Sequence, residues 1–319
     1  MESNPYYLGI DGGQSSTIAL IGDDSGRVLG CGRGGPCNHS TGEAGRRKFF
    51  GAVTECLKQA AQQAGLNLDT LAFEAACLGF SGGAADKETY SRELIRSKRF
   101  EITHDATIAL AGALAGEPGI IIISGTGSMA FGRNAAGKTA RAGGWGYVFG
   151  DEGGGFDITR QALRAALRME EGWGPETALR TALLHATGAA DANGLLHRFY
   201  TPDVTRQSIA ALSKLVADAA DHGDEVSRSI LRNAAEQLSG YVAGVAQQLF
   251  SAQETMSVAY VGGGFQSGVL REFFVESMTA RRNCVVKKPL MSPVAGALLT
   301  ALRIAGNFAN LTNVPEAVK

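Results

Sequence analysis

Residues 120–132 read IIIISGTGSMAFG, and this stretch decides how the chain folds. Four successive isoleucines are typical of a buried strand. The strand runs into Ser124-Gly125-Thr126-Gly127-Ser128, a segment with almost no side-chain bulk. Glycines let backbone N–H groups turn toward an anion, and the hydroxyls add further donors. The stretch therefore predicts a strand followed by an anion-binding loop.

A second loop of the same kind lies near the N-terminus, where residues 9–17 read GIDGGQSST. The Asp11 carboxylate would lie beside a bound anion, and it suits a Mg²⁺ ion held through water. Taken alone, Asp-Gly and Gly-Gly pairs are equally typical of an ordinary hairpin turn. Neither loop matches the GxxxxGK[ST] phosphate-binding motif or the GxGxxG dinucleotide motif.

Between these loops, residues 102–114 read ITHDATIALAGAL and place Asp105 where a strand ends and a helix begins. Aspartate is frequent at this position as a helix N-cap. A cap position also holds a carboxylate rigidly, so a structural role and a catalytic role are compatible. Asp105 is therefore a candidate catalytic carboxylate.

Two more glycine-rich segments follow. Residues 142–163, AGGWGYVFGDEGGGFDITRQAL, surround Trp145 and Asp151 with more glycines than a turn needs, which favours a sugar or phosphate pocket. Residues 258–274, VAYVGGGFQSGVLREFF, read as strand, triple glycine and helix. Such a turn lets a flat ring lie against the backbone at a helix N-terminus and suits an adenine-ribose unit.

The order of elements predicts two α/β halves. The first half reads β-β-β-α-β-α-β-α, which is typical of a mixed sheet with helices on its faces. A second half begins near residue 119 with a strand and a hairpin, continues as helices over 157–250, and returns to a strand at 257–263. The chain then ends with a helix from residue 293. The boundary is expected within 112–119.

The overall composition excludes several classes of function. Lys and Arg total 30 against 31 Asp and Glu, so no basic excess is available for nucleic-acid binding. No apolar run is long enough to span a bilayer, and no signal peptide is visible, so no membrane partner is expected. Five cysteines without CxxC spacing read as reduced thiols of a cytoplasmic protein.

The loops, the intervening carboxylate and the late glycine turn resemble the actin/hexokinase/Hsp70 ATPase superfamily. The order of the motifs is that of the BadF/BadG/BcrA/BcrD ATPase family, and it looks most like the N-acetylglucosamine kinase branch. The resemblance covers essentially the whole chain. The motifs are GIDGGQSS, PCNHS, GFSGG, THDA, ISGTGS, GGWG, GDEG and VGGGF.

The resemblance implies an α/β, two-lobed actin-like ATPase fold of the ribonuclease H-like type. Each lobe would hold a mixed β-sheet with flanking helices, and the active site would lie in the interlobe cleft. The N-terminal lobe is expected to span 1–115, completed by the C-terminal helix at about 302–319, and the C-terminal lobe 116–301. A homodimer is the family expectation.

The resemblance also implies ATP and Mg²⁺ as cofactors, with Asp11 holding the metal through water. Three groups of residues would bind the nucleotide. They are Asp11, Gly12, Gly13, Gln14, Ser15 and Ser16 at the first phosphate loop, Gly125, Thr126, Gly127 and Ser128 at the second, and Gly262, Gly263 and Gly264 at the nucleoside. The family pattern commonly has glycine then threonine where this chain has Gln14-Ser15.

For the sugar, the resemblance implies Asp105 as the general base. The substrate-binding residues would be Asn38, His39, Ser81, Gly82, Asp105, Thr126, Gly144, Trp145 and Asp151. Asp151 is a rival for the base, but carboxylates in pocket-lining loops commonly orient hydroxyls, which favours Asp105. A serine is usual in the family at the position of Gly154.

The predicted function is ATP-dependent phosphorylation of an amino sugar, with N-acetylglucosamine and its 6-hydroxyl as first choice, to give N-acetylglucosamine 6-phosphate. Glucosamine and N-acetylmuramic acid stay open as acceptors. An alternative from a different class is an ATPase activator of a 2-hydroxyacyl-CoA dehydratase, since such activators share this fold. They bind a [4Fe–4S] cluster through cysteines, and in this chain Cys31 or Cys37 would have to supply these ligands. A non-catalytic sugar sensor is a further alternative.

Overall fold

The computed structural model describes residues 5–37, 42–82, 85–201, 203–281 and 283–318. It divides into two compact units, one formed within residues 1–117 and 289–319 and the other within residues 118–288. Each unit is built on one five-stranded sheet. No helix in the described part of the chain combines the length and the apolar character needed to cross a membrane.

The described residues form ten strands, five in each sheet. In chain order they are β1 (Tyr6–Gly12), β2 (Thr17–Asp23), β3 (Val28–Gly34), β4 (Phe73–Phe80), β5 (Ser97–His104), β6 (Gly119–Ser124), β7 (Ser128–Arg133), β8 (Thr139–Gly143), β9 (Met256–Val261) and β10 (Cys284–Lys287). The strand order is β3-β2-β1-β4-β5 in the first sheet and β10-β9-β6-β7-β8 in the second.

The α-helices lie between these strands and after them. They are α1 (Gly42–Gln63), α2 (Ala85–Leu94), α3 (Asp105–Ala113), α4 (Gly155–Glu170), α5 (Leu179–Thr187), α6 (Ala192–Phe199), α7 (Arg206–Ala211), α8 (Ser213–Asp221), α9 (Glu225–Leu249), α10 (Gly268–Thr279) and α11 (Pro293–Ile304). Two 3₁₀ turns span Gly263–Gln266 and Glu316–Val318.

The two sheets have the same topology. In each, the first strand pairs antiparallel with the second and parallel with the fourth, as β1 does with β2 and β4 and β6 does with β7 and β9. Parallel neighbours need crossover connections, which helices supply in both units. The two mixed sheets with flanking helices predicted from the sequence are therefore confirmed.

The first sheet is covered on both faces because the side chains of β1 alternate. Leu8 packs on one face with Phe49 and Val53 of α1. Tyr7 packs on the other face with Leu298 of α11. In the second unit, Ile120 and Ile122 of β6 join one large apolar cluster with α4, α8, α9 and α10.

Helix α11 belongs to the first unit, where glycines without side chains let it pack closely against β1 and α3. A Cβ on Gly9 of β1 would lie 2.3 Å from the backbone nitrogen of Leu298, and one on Gly296 would lie 2.1 Å from the carbonyl oxygen of Ile108 in α3. The lobe boundaries predicted from the sequence place most of this helix in the C-terminal lobe, 116–301. In the structure, residues 289–301 pack within the first unit instead.

Candidate active site

The carboxyl ends of three neighbouring strands of the first sheet bring predicted site residues together. The parallel register aligns Gly12 of β1 with Phe80 of β4, and Phe80 with the last residue of β5. Asp11, Ser81 and Asp105 each lie within one position of this line. We refer to these three residues as the carboxylate edge.

The two carboxylates of this edge interact. Burial, followed by the charge of the nearby Asp105 carboxylate, raises the pKa of the Asp11 carboxyl to about 6. Two neighbouring carboxylates disfavour each other's ionised form when no cation lies between them. Mg²⁺ commonly binds proteins through one or two carboxylates together with substrate phosphates. The pair therefore fits the metal expected from the sequence.

The two glycines of the first loop differ in what surrounds them. A Cβ on Gly12 would lie 2.3 Å from the Phe80 ring and 2.7 Å from Cys37 Sγ, so the protein itself excludes a side chain there. Among the described residues, a Cβ on Gly13 would meet only the carbonyl oxygen of Ser16, at 3.3 Å. The N–H of Gly13 donates to that same carbonyl at 2.9 Å and closes the turn. Gly13, unlike Gly12, thus leaves space that a phosphate can fill.

The tip of this turn consists of Gln14 and Ser15, and both are exposed. The departure from the family pattern at these two positions therefore falls on side chains that point away from the core. The hydrogen bond that closes the turn uses the backbone of its neighbours, Gly13 and Ser16.

Asp105 is the first residue of α3, and His104 before it occupies the N-cap position with an extended backbone. Oδ1 of Asp105 accepts a hydrogen bond from the N–H of Ala106 at 2.8 Å. The positive end of the helix dipole favours a carboxylate at this place. Because α3 is buried from Ile108 onward, the carboxylate is anchored to the core. A general base needs such fixed placement within reach of a hydroxyl.

The turn after β4 is held firmly but leaves one polar group unpaired. The N–H of Ser81 donates to the carbonyl of Gly12 at 3.1 Å, and its own carbonyl accepts from Lys87 Nζ at 2.6 Å. Oγ of Ser81 is buried without a hydrogen-bond partner among the described residues. Gly82 follows with a φ of +79°. A buried hydroxyl is costly unless it is paired, so a sugar hydroxyl is a suitable partner.

The remaining substrate-binding residues expected in the first unit, Asn38 and His39, lie outside the described residues. Cys37, just before them, is buried, and burial raises the pKa of its thiol. Thr17 Oγ1 donates to the carbonyl of Gly35 at 2.8 Å, which ties the chain leading to this segment to β2.

In the second unit, the loop at 124–128 is bound to the segment at 150–156; we refer to these two segments together as the glycine cluster. The N-terminal amides of α4 donate to carbonyls of the loop, and two serine hydroxyls of the loop donate in return. The bonds are Gly155 N to Gly125 O at 2.8 Å, Phe156 N to Thr126 O at 3.0 Å, Ser124 Oγ to Gly153 O at 2.7 Å and Ser128 Oγ to Glu152 O at 2.5 Å.

Within the glycine cluster, two glycines differ in what a side chain at their position would meet. A Cβ on Gly127 would lie 2.3 Å from Oδ2 of Asp151 and 2.7 Å from Nη2 of Arg206. A Cβ on Gly125 would have, of the residues that the structure describes, only the carbonyl oxygen of Gly127 near it, at 4.0 Å. The protein itself therefore excludes a side chain at Gly127, whereas the space at Gly125 is open for a ligand. Gly154, the other departure from the family pattern, packs against the backbone of Gly127.

Asp151 has an unusual backbone and a charged partner. Its φ is +64°, and only 4% of the residue is exposed. Nη2 of Arg206, the first residue of α7, donates a short hydrogen bond to Oδ2 of Asp151. The Arg206 guanidinium also lies 5.3 Å from the centre of the Tyr147 ring. The sequence analysis missed Arg206.

The neighbouring carboxylates of this segment, Glu152 and Asp157, accept hydrogen bonds from other groups of the protein. Glu152 accepts a short hydrogen bond from the hydroxyl of Tyr241, and burial followed by this bond raises the pKa of Tyr241. Asp157 accepts from the N–H of Gly153 at 3.1 Å and from Arg160 at 2.7 Å. These two carboxylates therefore hold α4 and α9 to the glycine cluster.

The segment before Asp151 is open at its surface. Gly144 donates its N–H to the carbonyl of Ser128 at 2.9 Å, so it borders the glycine cluster. Trp145 is 65% exposed, and the Arg141 guanidinium lies 4.7 Å from its ring centre. Exposed aromatic surface of this kind is typical of a binding site.

The triple glycine lies against the second phosphate loop. A Cβ on Gly262 would lie 2.4 Å from the carbonyl oxygen of Ser124, and one on Gly264 would lie 2.2 Å from Ser124 Oγ. A Cβ on Gly263 would meet no atom of the described part of the chain within 4 Å. The outer glycines are therefore required by packing, and Gly263 faces open space.

A cavity of about 270 Å³ opens in front of Gly263 and Gly264. Helix α8 forms one wall with Ser213 and Lys214, and the start of α10 forms the other with Ser267. The sequence analysis missed these wall residues. A larger cavity of about 460 Å³ lies between α4 and α9, and no residue predicted to bind a ligand lines it.

Comparison with known proteins places these features in a family. The model described as the BadF/BadG/BcrA/BcrD ATPase family matches residues 8–301. The chain belongs to the BadF/BadG/BcrA/BcrD ATPase family. The match spans both units, and it confirms the resemblance seen in the motifs.

Three members or neighbours of the family are similar over most of the chain. A Clostridium acetobutylicum protein named N-acetylmuramic acid/N-acetylglucosamine kinase is 35% identical over 265 residues, 81% of this chain and 85% of that protein. N-acetyl-D-glucosamine kinase of Dictyostelium discoideum is 30% identical over 318 residues, 94% and 98% of the two chains. The crystal structure of a candidate N-acetylglucosamine kinase from Chromobacterium violaceum has a TM-score of 0.74 at 29% identity and covers 93% of this chain and 98% of that one.

Proposed function

We propose that the chain is an ATP-dependent kinase of amino sugars that transfers the terminal phosphoryl group of ATP to the 6-hydroxyl of N-acetylglucosamine. The observation that carries this proposal is the placement of Asp105 beside Asp11 at the carboxylate edge. One carboxylate is fixed on a buried helix, and the other suits a metal next to a glycine with open space. The relatives named as amino-sugar kinases support it.

The chemistry needs few covalent contributions from the protein. The bond from the sugar oxygen to the γ-phosphorus forms while the bond from that phosphorus to ADP breaks, and the hydroxyl proton passes to the Asp105 carboxylate. Alignment and charge stabilisation carry most of the rate in such transfers. A positioned base adds about 10²–10⁴-fold. When bound, Mg²⁺ supplies charge neutralisation of the phosphates, and Asp11 would hold it through water.

The phosphates would lie against Gly13 and Gly125, the loop glycines whose surroundings are open. The nucleoside would occupy the cavity in front of Gly263 and Gly264. Backbone N–H groups and hydroxyls at such loops favour anions without a large side chain. Thr126 lies next to Gly125 in the loop, and we keep it as a contact to ATP and sugar.

Asp105 is preferred to Asp151 as the base on structural grounds. The Asp151 carboxylate is paired with the charged Arg206 guanidinium, whereas the Asp105 carboxylate, among the described residues, accepts from the backbone N–H of the next residue and has no cationic partner. A base must be free to take a proton from the hydroxyl it activates. Asp151, with Gly144 and Trp145, is proposed to bind the sugar.

N-acetylglucosamine is our proposal among several amino sugars, since the names of the relatives include N-acetylmuramic acid and glucosamine as well. The dehydratase activator is not favoured, because Cys37 is buried against Gly12 and the curated relatives are kinases. Magnesium is part of the proposal. The homodimer and the cytoplasmic location stay predictions of the sequence.

The proposal is tested by coupled ADP release over a panel of N-acetylglucosamine, glucosamine, N-acetylmuramic acid, glucose and buffer alone. We expect turnover with at least one amino sugar, with N-acetylglucosamine giving the highest kcat/KM, and none in buffer. ADP release that does not depend on sugar, together with iron in the purified protein, would favour the activator instead.

A further inference from the structure

Two ion pairs of the second unit are similar in burial, but their carboxylates differ in the number of further hydrogen bonds that they accept. Arg206 pairs with Asp151, and Arg160 pairs with Asp157. The arginine side chains are 38% and 40% exposed, and their carboxylate partners are 6% and 7% exposed. Both arginines also have a buried Nε without a hydrogen-bond partner among the described residues. The pairs therefore make a matched comparison within one site region.

The carboxylates differ in how much of their acceptor capacity the protein uses. Asp157 accepts from Arg160, from the N–H of Gly153 and from Gln161. Within the described ranges, Asp151 accepts at its carboxylate from Arg206 alone. A carboxylate offers about four lone-pair sites, and buried ones are normally filled. Asp151 is thus a buried carboxylate with capacity left for a ligand.

Arg206 itself is held in place. Thr205 caps α7 by accepting from the N–H of Ser208 at 3.1 Å, and α7 packs on the start of α4, where Gly155 approaches the carbonyl of Ala210. The Arg206 guanidinium also lies over the Tyr147 ring. A guanidinium is planar and stays charged, so it fixes the direction of a carboxylate better than a flexible ammonium does.

We propose that Arg206 is a positioning residue for the sugar: it holds the Asp151 carboxylate against Gly127 so that its remaining lone pairs face a sugar hydroxyl. The inference rests on the proposed function, in which Asp151 binds the sugar. Without the arginine, the carboxylate would be buried with an uncompensated charge and free to rotate away from Gly127. Sugar binding would then weaken while nucleotide binding would not.

The test uses Arg206→Met, Arg206→Lys, Asp151→Asn and the double variant, with Arg160→Met as the matched control. Calorimetric titration with N-acetylglucosamine, without ATP, gives the sugar Kd, and steady-state assays give kcat and both KM values. Thermal unfolding is recorded for every variant. Arg206→Lys keeps the charge, so it remains informative if Arg206→Met does not fold.

We expect Arg206→Met to raise the sugar Kd and KM at least about tenfold, with the KM for ATP changed less than about twofold. Arg206→Lys should be intermediate, because the charge remains and the fork geometry is lost. The double variant should bind sugar no more weakly than Asp151→Asn alone, since both changes remove one interaction. Arg160→Met should leave the sugar Kd unchanged.

The proposal is overturned if the sugar Kd of both Arg206 variants equals that of the unaltered protein. It is also overturned if the losses multiply in the double variant, because Arg206 would then contact the substrate independently of Asp151. An unaltered protein that binds and phosphorylates no amino sugar refutes the proposed function itself. An active unaltered protein with insensitive Arg206 variants refutes this inference alone.

Discussion

Gly127 lies directly beside Asp151: a Cβ on Gly127 would come within 2.3 Å of the carboxylate oxygen Oδ2. The second glycine of SGTGS therefore lacks a side chain because the Asp151–Arg206 pair fills that space. In front of the first glycine, Gly125, the described residues leave the space open. One short loop thus serves packing with one glycine and has room for a ligand at the other.

This difference predicts opposite results for two alanine variants. Gly127→Ala should lower the free energy of unfolding by about 1–3 kcal/mol, because the methyl group forces the Asp151–Arg206 pair to move. Gly125→Ala should unfold within about 1 kcal/mol of the unaltered protein and yet raise the KM for ATP at least tenfold. Urea denaturation and steady-state kinetics measure both. Equal stability losses with equal kinetics would contradict the distinction.

Asp105→Asn should lower kcat by about 10²–10⁴-fold, because the amide accepts no proton from the sugar hydroxyl. Its sugar Kd should stay within a few fold of the unaltered value. Asp69→Asn, an exposed aspartate of the same unit, is the matched control and should keep full activity. Unchanged turnover in Asp105→Asn would leave the reaction without its proposed base.

Asp11 should make the protein less stable as the pH rises. Its folded pKa is about 6, above the ordinary value of 3.8, so the folded state binds the proton more tightly than the unfolded state. The contribution of Asp11 to the free energy of unfolding is therefore most favourable below pH 4, falls as the pH rises toward 6, and is lost above it. The full effect is about 3 kcal/mol.

Asp11→Asn should remove this dependence, stabilise the protein at pH 7 by up to about 3 kcal/mol, and abolish magnesium-dependent activity. Urea denaturation at pH 5 and pH 7 in a chelating buffer measures the free energy of unfolding of both proteins. If the asparagine variant loses as much stability between pH 5 and pH 7 as the unaltered protein does, the Asp11 carboxyl is not responsible.

The cavity beside the triple glycine predicts a selective loss of nucleotide binding. Gly263→Val should raise the KM for ATP at least tenfold, because the side chain enters the space in front of Gly263. The sugar Kd measured without ATP should not change. Gly240→Val, at an equally open and exposed position on α9, is the control. An unchanged KM for ATP in Gly263→Val would place the nucleoside elsewhere.

Much of the fold could be predicted because its signals are local. The element order of the first unit and the helices over 157–250 follow from hydrophobic periods and glycine turns. Strand β10 was missed, since four residues, CVVK, next to further lysine carry little pattern. Helix α11 was placed mostly in the wrong half, because its close approach to β1 and α3 is a long-range contact that only the folded backbone shows.

The site divides in the same way. Asp11 and Asp105 could be chosen from motifs, since Asp11 lies in the last two residues of strand β1 and Asp105 directly follows strand β5. Arg206 could not, because it lies 55 residues from Asp151 in a six-residue helix whose sequence, RQSIAA, carries no signal. The two glycines of SGTGS are alike as letters, and only their neighbours in space distinguish them.

The central claim is that the sugar 6-hydroxyl receives the phosphoryl group with Asp105 as the base. The most direct measurement is ³¹P and ¹³C NMR of the product formed from ATP and ¹³C-labelled N-acetylglucosamine by the unaltered protein and by Asp105→Asn. The account predicts N-acetylglucosamine 6-phosphate and ADP in equal amounts, formed at least a hundredfold more slowly by the variant. ADP and inorganic phosphate without a phosphorylated sugar, or the same product at the same rate in both, would contradict it.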